Sequence, residues 1–520
     1  GFCSDILREY AYRLDIPADF RVADENECRE IRERVLEDLL DRAYESEDAP
    51  EFRAFIESQG LGRDDRLVPQ IIERVYDSAR CHLNPQGWLR ECLELLETGG
   101  IQDAGQTIWG KSLMDDLDEY LDSQIFVFRQ CIRWMECCDG LEKPILNFQD
   151  TLHQLESLKE KTSWDEVVAG RNVDYGRLVF PKKSVDPELA ERVKAARNAC
   201  KAGLEKKLRN FTDDSAQILA DLRQSAEGAR GLVWLVEQFS QDYRRAKRSR
   251  RILDFSDLEQ YTLDLLVGKS RGIPTAAASE IGSRFREILV DEYQDSNAVQ
   301  DAIFDALSRK RQNCFLVGDV KQSIYQFRLA DPGIFLEKYN HYLKVEEAKP
   351  GEGRKVLLSH NFRSGPEIIE GVNQVFTACM TPKVGGLYYT EAEALREGVP
   401  HVRLPDPGVE LHALETVSDT YAEEADFVAG RIQEMLENGT LIREKDSLRP
   451  VEPEDIVILL RSPGSAAGYF QRALENRGIR CTTGGGTDLL QTREVETLRS
   501  LLQTVQNPRQ DIPLLSILAS

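Results

Sequence analysis

The 520 residues carry 90 acidic against 67 basic side chains, a formal net charge of −23 at pH 7, and 41% of them are hydrophobic. That length suggests about three domains with sizeable cores, and the acidity excludes a surface that attracts polyanions everywhere, so any contact with nucleic-acid phosphate has to be confined to local basic tracks. No run is apolar and long enough to span a bilayer, no signal peptide is read at the start, and the 11 cysteines and 6 histidines fall in no C-x₂-C or H-E-x-x-H spacing. A membrane span, a disulfide framework and a zinc site are therefore not expected, and scattered thiols fit a reducing, cytoplasmic setting.

In chain order, the first long pattern runs from about Asn26 to Gln241 and is overwhelmingly helical, with Leu117, Tyr120, Leu121, Ile125 and Phe128 at heptad-like spacing. Inside it, Gly105-Gln106-Thr107-Ile108-Trp109-Gly110-Lys111-Ser112 matches G-x-x-x-x-G-K-[ST] letter for letter. That pattern normally binds β- and γ-phosphates through backbone N–H groups and a lysine. A working loop of this kind needs a buried strand just ahead of it, whereas WLRECLELLETGG reads as an amphipathic helix ending at Gly99-Gly100 and followed by a polar turn. Ile108 and Trp109 are also bulky where such a loop wraps its ligand, so the match is read as coincidence, with Trp109 and Leu113 on a helix that docks onto its neighbours. Two basic tracks come next: Lys194, Arg197, Lys201, Lys206, Lys207 and Arg209 on one helical pattern, then Arg244, Arg245, Lys247, Arg248, Arg250 and Arg251 just ahead of Asp254. Each reads either as a local phosphate contact or as a solvated helix face.

Strand signals then concentrate. Ile288-Leu289-Val290 delivers Asp291 and Glu292 to its C-terminal end. A carboxylate just past a strand end can hold a Mg²⁺ ion that bridges ATP phosphates, and the next residue, projecting to the other side, can poise a water for in-line attack. Asp291 and Glu292 fit those two places; the plainer alternative is an acidic pair capping a strand. A second apolar run, Cys314-Phe315-Leu316-Val317, leads into Gly318-Asp319-Val320-Lys321-Gln322-Ser323-Ile324-Tyr325-Gln326-Phe327-Arg328, and a third, Val356-Leu357-Leu358-Ser359, into His360-Asn361-Phe362-Arg363-Ser364. Strand ends that carry different polar groups are where ligands bind in parallel sheets. Further strands are expected at 409–414, 456–460 and 480–483, alternating with helices near 421–438, 466–477 and 493–505, the rhythm of a second parallel sheet.

The sequences VDEYQD, GDVKQSIYQFR and SHNFRS resemble motifs II, III and IV of superfamily 1 DNA helicases of the UvrD/RecB type, in order and spacing. The opening GFCSDILREYAYRLDIPADFRVADENE and the segment RRILDFSDLEQYTLDLL are similar to the AddA family of helicase-nuclease subunits. The resemblance spans nearly the whole chain. It implies an α/β fold: RecA-like parallel-sheet motor domains, the first one partial, with a large all-helical insertion. Residues 1–25 would be a remnant of the first motor domain, 26–241 the helical insertion, 242–355 the rest of that motor domain with motifs II and III, and 356–520 the second motor domain, with the ATP site between the two sheets.

The resemblance also assigns roles. Asp291 would ligate Mg²⁺, Glu292 would be the catalytic base, and Gln322 would sense the γ-phosphate. Arg363 would be an arginine finger and Phe362 would stack on adenine, unless Phe362 is a core aromatic. Tyr325, Phe327 and Arg328 would face single-stranded DNA, with simple core packing as the alternative for the rings; Phe327 stands where family members often carry Trp, a larger platform. The function implied is that of an ATP- and Mg²⁺-using 3′-to-5′ DNA helicase subunit of an AddAB/RecBCD-type helicase-nuclease. It would process double-strand breaks for recombinational repair, acting on single- and double-stranded DNA ends as a heterodimer with an AddB-type subunit. The family's P-loop, motifs V and VI and nuclease domain are not read in this sequence, which is the expectation for a fragment inactive alone. A non-catalytic DNA-binding or scaffold subunit is the other reading, disfavoured because Asp291, Glu292, Gln322 and Arg363 are all present.

Overall fold

The computed structural model describes residues 1–46, 50–58, 66–181, 186–268, 273–404, 408–416, 421–444, 447–483 and 492–519. The chain divides into two compact units, one of Gly1–Leu343 with Ala348–Gly353 and one of Lys344–Glu347 with Arg354–Ser520.

In the first unit the helical reading of 26–241 meets a succession of helices, the longest being Ile108–Glu136 and Ser215–Ser249. Their starts are set by capping: Thr107 accepts from the Gly110 N–H, Asp214 from Gln217, and Ser163 forms a reciprocal capping box with Glu166. Two apolar clusters form on their inner faces. One joins Ile31, Leu39, Phe55, Ile72, Leu235 and Phe239; the other joins Leu117, Leu121, Phe128, Phe148, Trp164 and Leu204. Of the heptad-like positions, Leu117, Leu121, Ile125 and Phe128 are buried and Tyr120 is half-buried against the same cluster. The Ser215–Ser249 helix packs along Pro50–Ser58, and Gly231 permits it: a Cβ there would run into the Glu51 carbonyl oxygen.

Where that long helix ends, the chain buries charge. Lys247 Nζ lies 2.7 Å from Asp254 and 2.5 Å from Asp257, and Arg80 bonds Asp257 at 3.0 Å, all with little exposure. Burial works against charge on the Lys247 ammonium, but the surrounding Tyr76, Asp257 and Asp254 outweigh it and raise its pKa. Asp254 and Asp257 also form the capping box that starts the Phe255–Val267 helix. The network thus ties the helical stretch to the strand-bearing part of the unit.

That part is built from two parallel pairs. Strand β1 (Arg21–Val22) lies beside β2 (Ile252–Leu253), and β3 (Ile288–Val290) beside β4 (Cys314–Leu316). Ile288 packs on the cluster of Leu263, Leu266, Ile281, Val299 and Ile303, while Leu289 points away and is 71% exposed. The pair is thus covered on one face.

In the second unit the expected helices appear as Ala422–Glu437, Pro463–Glu475 and Arg493–Gln506. The expected strands at 356–359, 409–414, 456–460 and 480–483 join no ladder among the described residues. The side-chain alternation is nonetheless real: Ile456, Ile458 and Leu460 pack against the two first helices, while Val457 and Leu459 face outward. Alternation specifies an extended chain facing a core; a ladder needs a hydrogen-bonding neighbour as well. The ladders that do form include a parallel pair, His360–Asn361 with Arg396–Glu397, and an antiparallel pair, Leu441–Glu444 with Ser447–Pro450, which the sequence reading did not foresee.

Candidate nucleotide and nucleic-acid site

Asp291 and Glu292 leave the end of β3 with both side chains exposed. Glu292 sits in the left-handed region (φ 49°), which a non-glycine residue holds only where its surroundings fix it. Here they do. Its N–H donates to Asp291 Oδ1 at 3.0 Å, and the next residue is pinned from both directions: the Tyr293 N–H bonds the Val317 carbonyl at 2.8 Å, and the buried ring meets Phe335 edge-on at 5.8 Å. The Tyr293 hydroxyl donates to Asp301, which also accepts from Arg311 at 3.0 Å and Lys338 at 3.3 Å. Burial first, then the Asp301 carboxylate, raise the tyrosine pKa and keep it a donor.

β4 runs directly into the second loop. The Val317 N–H bonds the Val290 carbonyl at 2.8 Å, so Gly318 and Asp319 arrive beside Tyr293 and Gln294. Asp319 organises the turn after it, accepting from Lys321 Nζ at 2.9 Å and Gln322 Nε2 at 3.0 Å. Further along, the loop presents Tyr325 and Phe327 with ring centroids 6.0 Å apart, and the Arg328 guanidinium lies 5.4 and 5.6 Å from their centres. Phe327 is 76% exposed, so core packing does not account for it.

The second unit carries the third segment. Asn361 Oδ1 accepts the N–H groups of both Arg363 (2.9 Å) and Ser364 (2.8 Å), an Asx turn that throws Phe362 and Arg363 outward. Phe362 is 67% exposed, lying over Gly398, where a Cβ would come within 2.6 Å of the ring. It is no core aromatic. Behind the turn, burial pushes the Glu367 carboxyl up, but the Arg443 guanidinium and backbone N–H groups outweigh that and hold its pKa at about 2.

Comparison with known proteins gives this geometry a family. The UvrD/REP helicase N-terminal domain matches residues 1–343. The chain belongs to the UvrD/REP helicases. Over its whole length it is 33% identical to an ATP-dependent helicase/nuclease subunit of Clostridium novyi and 33% identical to that of Pelotomaculum thermopropionicum, covering 44% and 45% of those proteins. It is 32% identical to the Acetivibrio thermocellus protein of the same name, covering 46% of it. The chain thus spans less than half the length of these relatives.

In this UvrD/REP helicase chain the Gly105–Ser112 match has a structural explanation. Gly105 N–H already donates to Asp103 Oδ1 at 2.7 Å and Gly110 N–H to Thr107 Oγ1 at 3.0 Å, so the amides a phosphate would need are spent on a turn and a helix cap. A Cβ at Gly110 would strike the Ala104 carbonyl, which is why glycine stands there. Leu113 packs on the neighbouring cluster as expected, but Trp109 is exposed, one turn too early on the helix to reach it. Part of each basic track is matched by acid: Lys194 with Glu191, Lys207 with Asp116, Arg245 with Asp242, Arg248 with Asp15 and Arg251 with Asp19. Arg197 bonds the Tyr175 and Gly176 carbonyls, and Lys247 is buried. Those partners are what a solvated helix face would carry, and Lys247 alone of the two tracks is fully buried.

Asp291 fits a Mg²⁺ ion that is completed by phosphate oxygens and water, since such an ion takes only one or two protein carboxylates. Among the described residues no cluster of three or more His, Cys, Asp or Glu is placed to hold a metal by itself. Sequence reasoning passed over Gln294, Gly318, Asp319 and Asn361, which position the named residues; their signal was present only as letters inside the motifs.

Proposed function

We propose that this chain is part of an ATP-dependent DNA helicase that moves 3′ to 5′ and acts at DNA double-strand breaks with an AddB-type partner, in keeping with the name its relatives carry, ATP-dependent helicase/nuclease. The single observation that carries the reading is the exposed Asp291–Glu292 pair at the end of β3, hydrogen-bonded across β4 to a loop that displays Tyr325, Phe327 and Arg328.

Asp291 would hold Mg²⁺, whose charge would neutralise the phosphates of bound ATP. Glu292, held in its left-handed conformation, would orient the attacking water and accept its proton. Gln322 would read the γ-phosphate from its place on Asp319. Arg363 would supply a planar cation for the transferring phosphoryl group, and the outward ring of Phe362 would stack on adenine. Tyr325, Phe327 and Arg328 would grip single-stranded DNA by stacking and charge, without regard to sequence because every base has a π-face. The 26–241 helices would form the insertion of the first motor domain, and 356–520 the second motor domain.

The test is ATP turnover by the full-length protein with and without single-stranded DNA, together with strand separation from 3′- and 5′-tailed duplexes. DNA-stimulated turnover and unwinding from the 3′ tail alone are expected. Turnover indifferent to DNA would refute the helicase reading, and unwinding from the 5′ tail would refute the polarity.

A further inference from the structure

Gln294 is 1% exposed, yet both ends of its carboxamide are used. Nε2 donates to Glu292 Oε2 at 2.7 Å, and Oε1 accepts the Asp319 N–H at 3.0 Å. The orientation is fixed by its partners, because a flipped amide would set oxygen against carboxylate and N–H against N–H. Gly318 makes the approach possible. A Cβ there would sit 2.5 Å from Gln294 Oε1 and 3.2 Å from the backbone nitrogens of Gln294 and Tyr293.

A continuous path results. Glu292 bonds Gln294, Gln294 bonds the Asp319 amide, and the Asp319 carboxylate bonds Gln322, after which the same loop reaches Tyr325 and Phe327. Hydrogen bonds to a carboxylate from a buried donor are strong and directional, so the Glu292 side chain is aimed by a group that the motif III loop itself holds in place.

We infer that Gln294 is a positioning residue that aims the Glu292 carboxylate and makes its aim depend on the Gly318–Arg328 loop, so that single-stranded DNA settling on that loop alters ATP turnover through this amide. The inference rests on the reading of Glu292 as the base. It requires of Gln294 no contact with nucleotide or DNA.

The experiment measures kcat and KM for ATP, with and without single-stranded DNA, in the full-length protein. Gln294→Glu keeps the shape and the acceptor for the Asp319 N–H but turns an oxygen toward Glu292. It should lower DNA-stimulated kcat tenfold or more, the scale of a lost hydrogen bond to a charged group, with KM for ATP within about twofold. Gly318→Ala, whose methyl displaces the carboxamide from the other side, should do the same and serves if Gln294→Glu does not fold. Combined with Glu292→Asp, whose shorter carboxylate no longer meets the amide, Gln294→Glu should cost nothing further. Wild-type kcat in folded Gln294→Glu or Gly318→Ala, or losses that multiply in the double variant, would overturn the inference. If Glu292→Asp alone turns over ATP like the wild type, the base assignment fails instead.

Discussion

The helical stretch and the strand-end loops spend their side chains in opposite ways. Among the described residues between Glu25 and Ser249, two apolar clusters are packed inward and many long cationic side chains are matched by carboxylates, down to a lysine buried beside two aspartates. At the ends of β3 and β4, and in the Asx turn of the second unit, the chain does the reverse: Asp291, Glu292, Phe327, Phe362 and Arg363 are exposed, and the buried residues are the scaffolding behind them, Tyr293 and Gln294. Stability and the proposed chemistry therefore fall to separate residues. Substitutions in one set should leave the property of the other nearly untouched.

The sharpest break of that division would come at Arg363. No ion pair engages it among the described residues, so Arg363→Ala should leave thermal unfolding unchanged while lowering DNA-stimulated ATP turnover by roughly 10³–10⁵, the usual worth of an arginine finger. A variant that melts early would show the residue to be structural. The complement is Lys247→Met, which strands Asp254 and Asp257 without their lysine. Denaturant unfolding followed by a probe in the first unit should show a loss of about 3–5 kcal/mol, and a loss below about 1 kcal/mol would mean that water reaches the pair.

How legible this was depended on the kind of contact. Helices satisfy their own backbone hydrogen bonds, so local spacing sufficed for Leu117, Leu121 and Phe128, and the apolar face named in the sequence is the buried one. Strands need a partner from elsewhere: the alternation at 456–460 was read correctly and its ladder was not, while the pairing of Leu441–Glu444 with Ser447–Pro450 went unseen because each strand is only four residues long and the second ends on a proline. At the site, the motifs named the exposed residues. Gln294 and Asn361 stayed hidden because a buried or turn-forming amide has no spacing rule that separates it from a solvated one.

A smaller effect is expected at Phe327. Replacing it by alanine should weaken single-stranded DNA binding by about 1–3 kcal/mol, the increment of one stacked base, with no change in unfolding; equal affinity in a filter or fluorescence titration would remove Phe327 from the DNA track. The smallest prediction concerns pH. Because the Glu367 pKa is lowered from 4.5 to about 2 in the folded state, its contribution to stability is complete above about 4.5 and drains away as pH falls toward 2. Unfolding of the second unit between those limits should be less acid-sensitive in Arg443→Met, and an unchanged acid profile would mean the pair does not tune stability.

The central claim is that the carboxylate leaving β3 performs the chemistry. It is tested most directly by comparing Glu292→Gln with the wild-type full-length protein for DNA-stimulated ATP hydrolysis and for nucleotide binding side by side. Hydrolysis should fall by orders of magnitude with nucleotide affinity retained; a variant that binds ATP and turns it over at the wild-type rate would contradict the account.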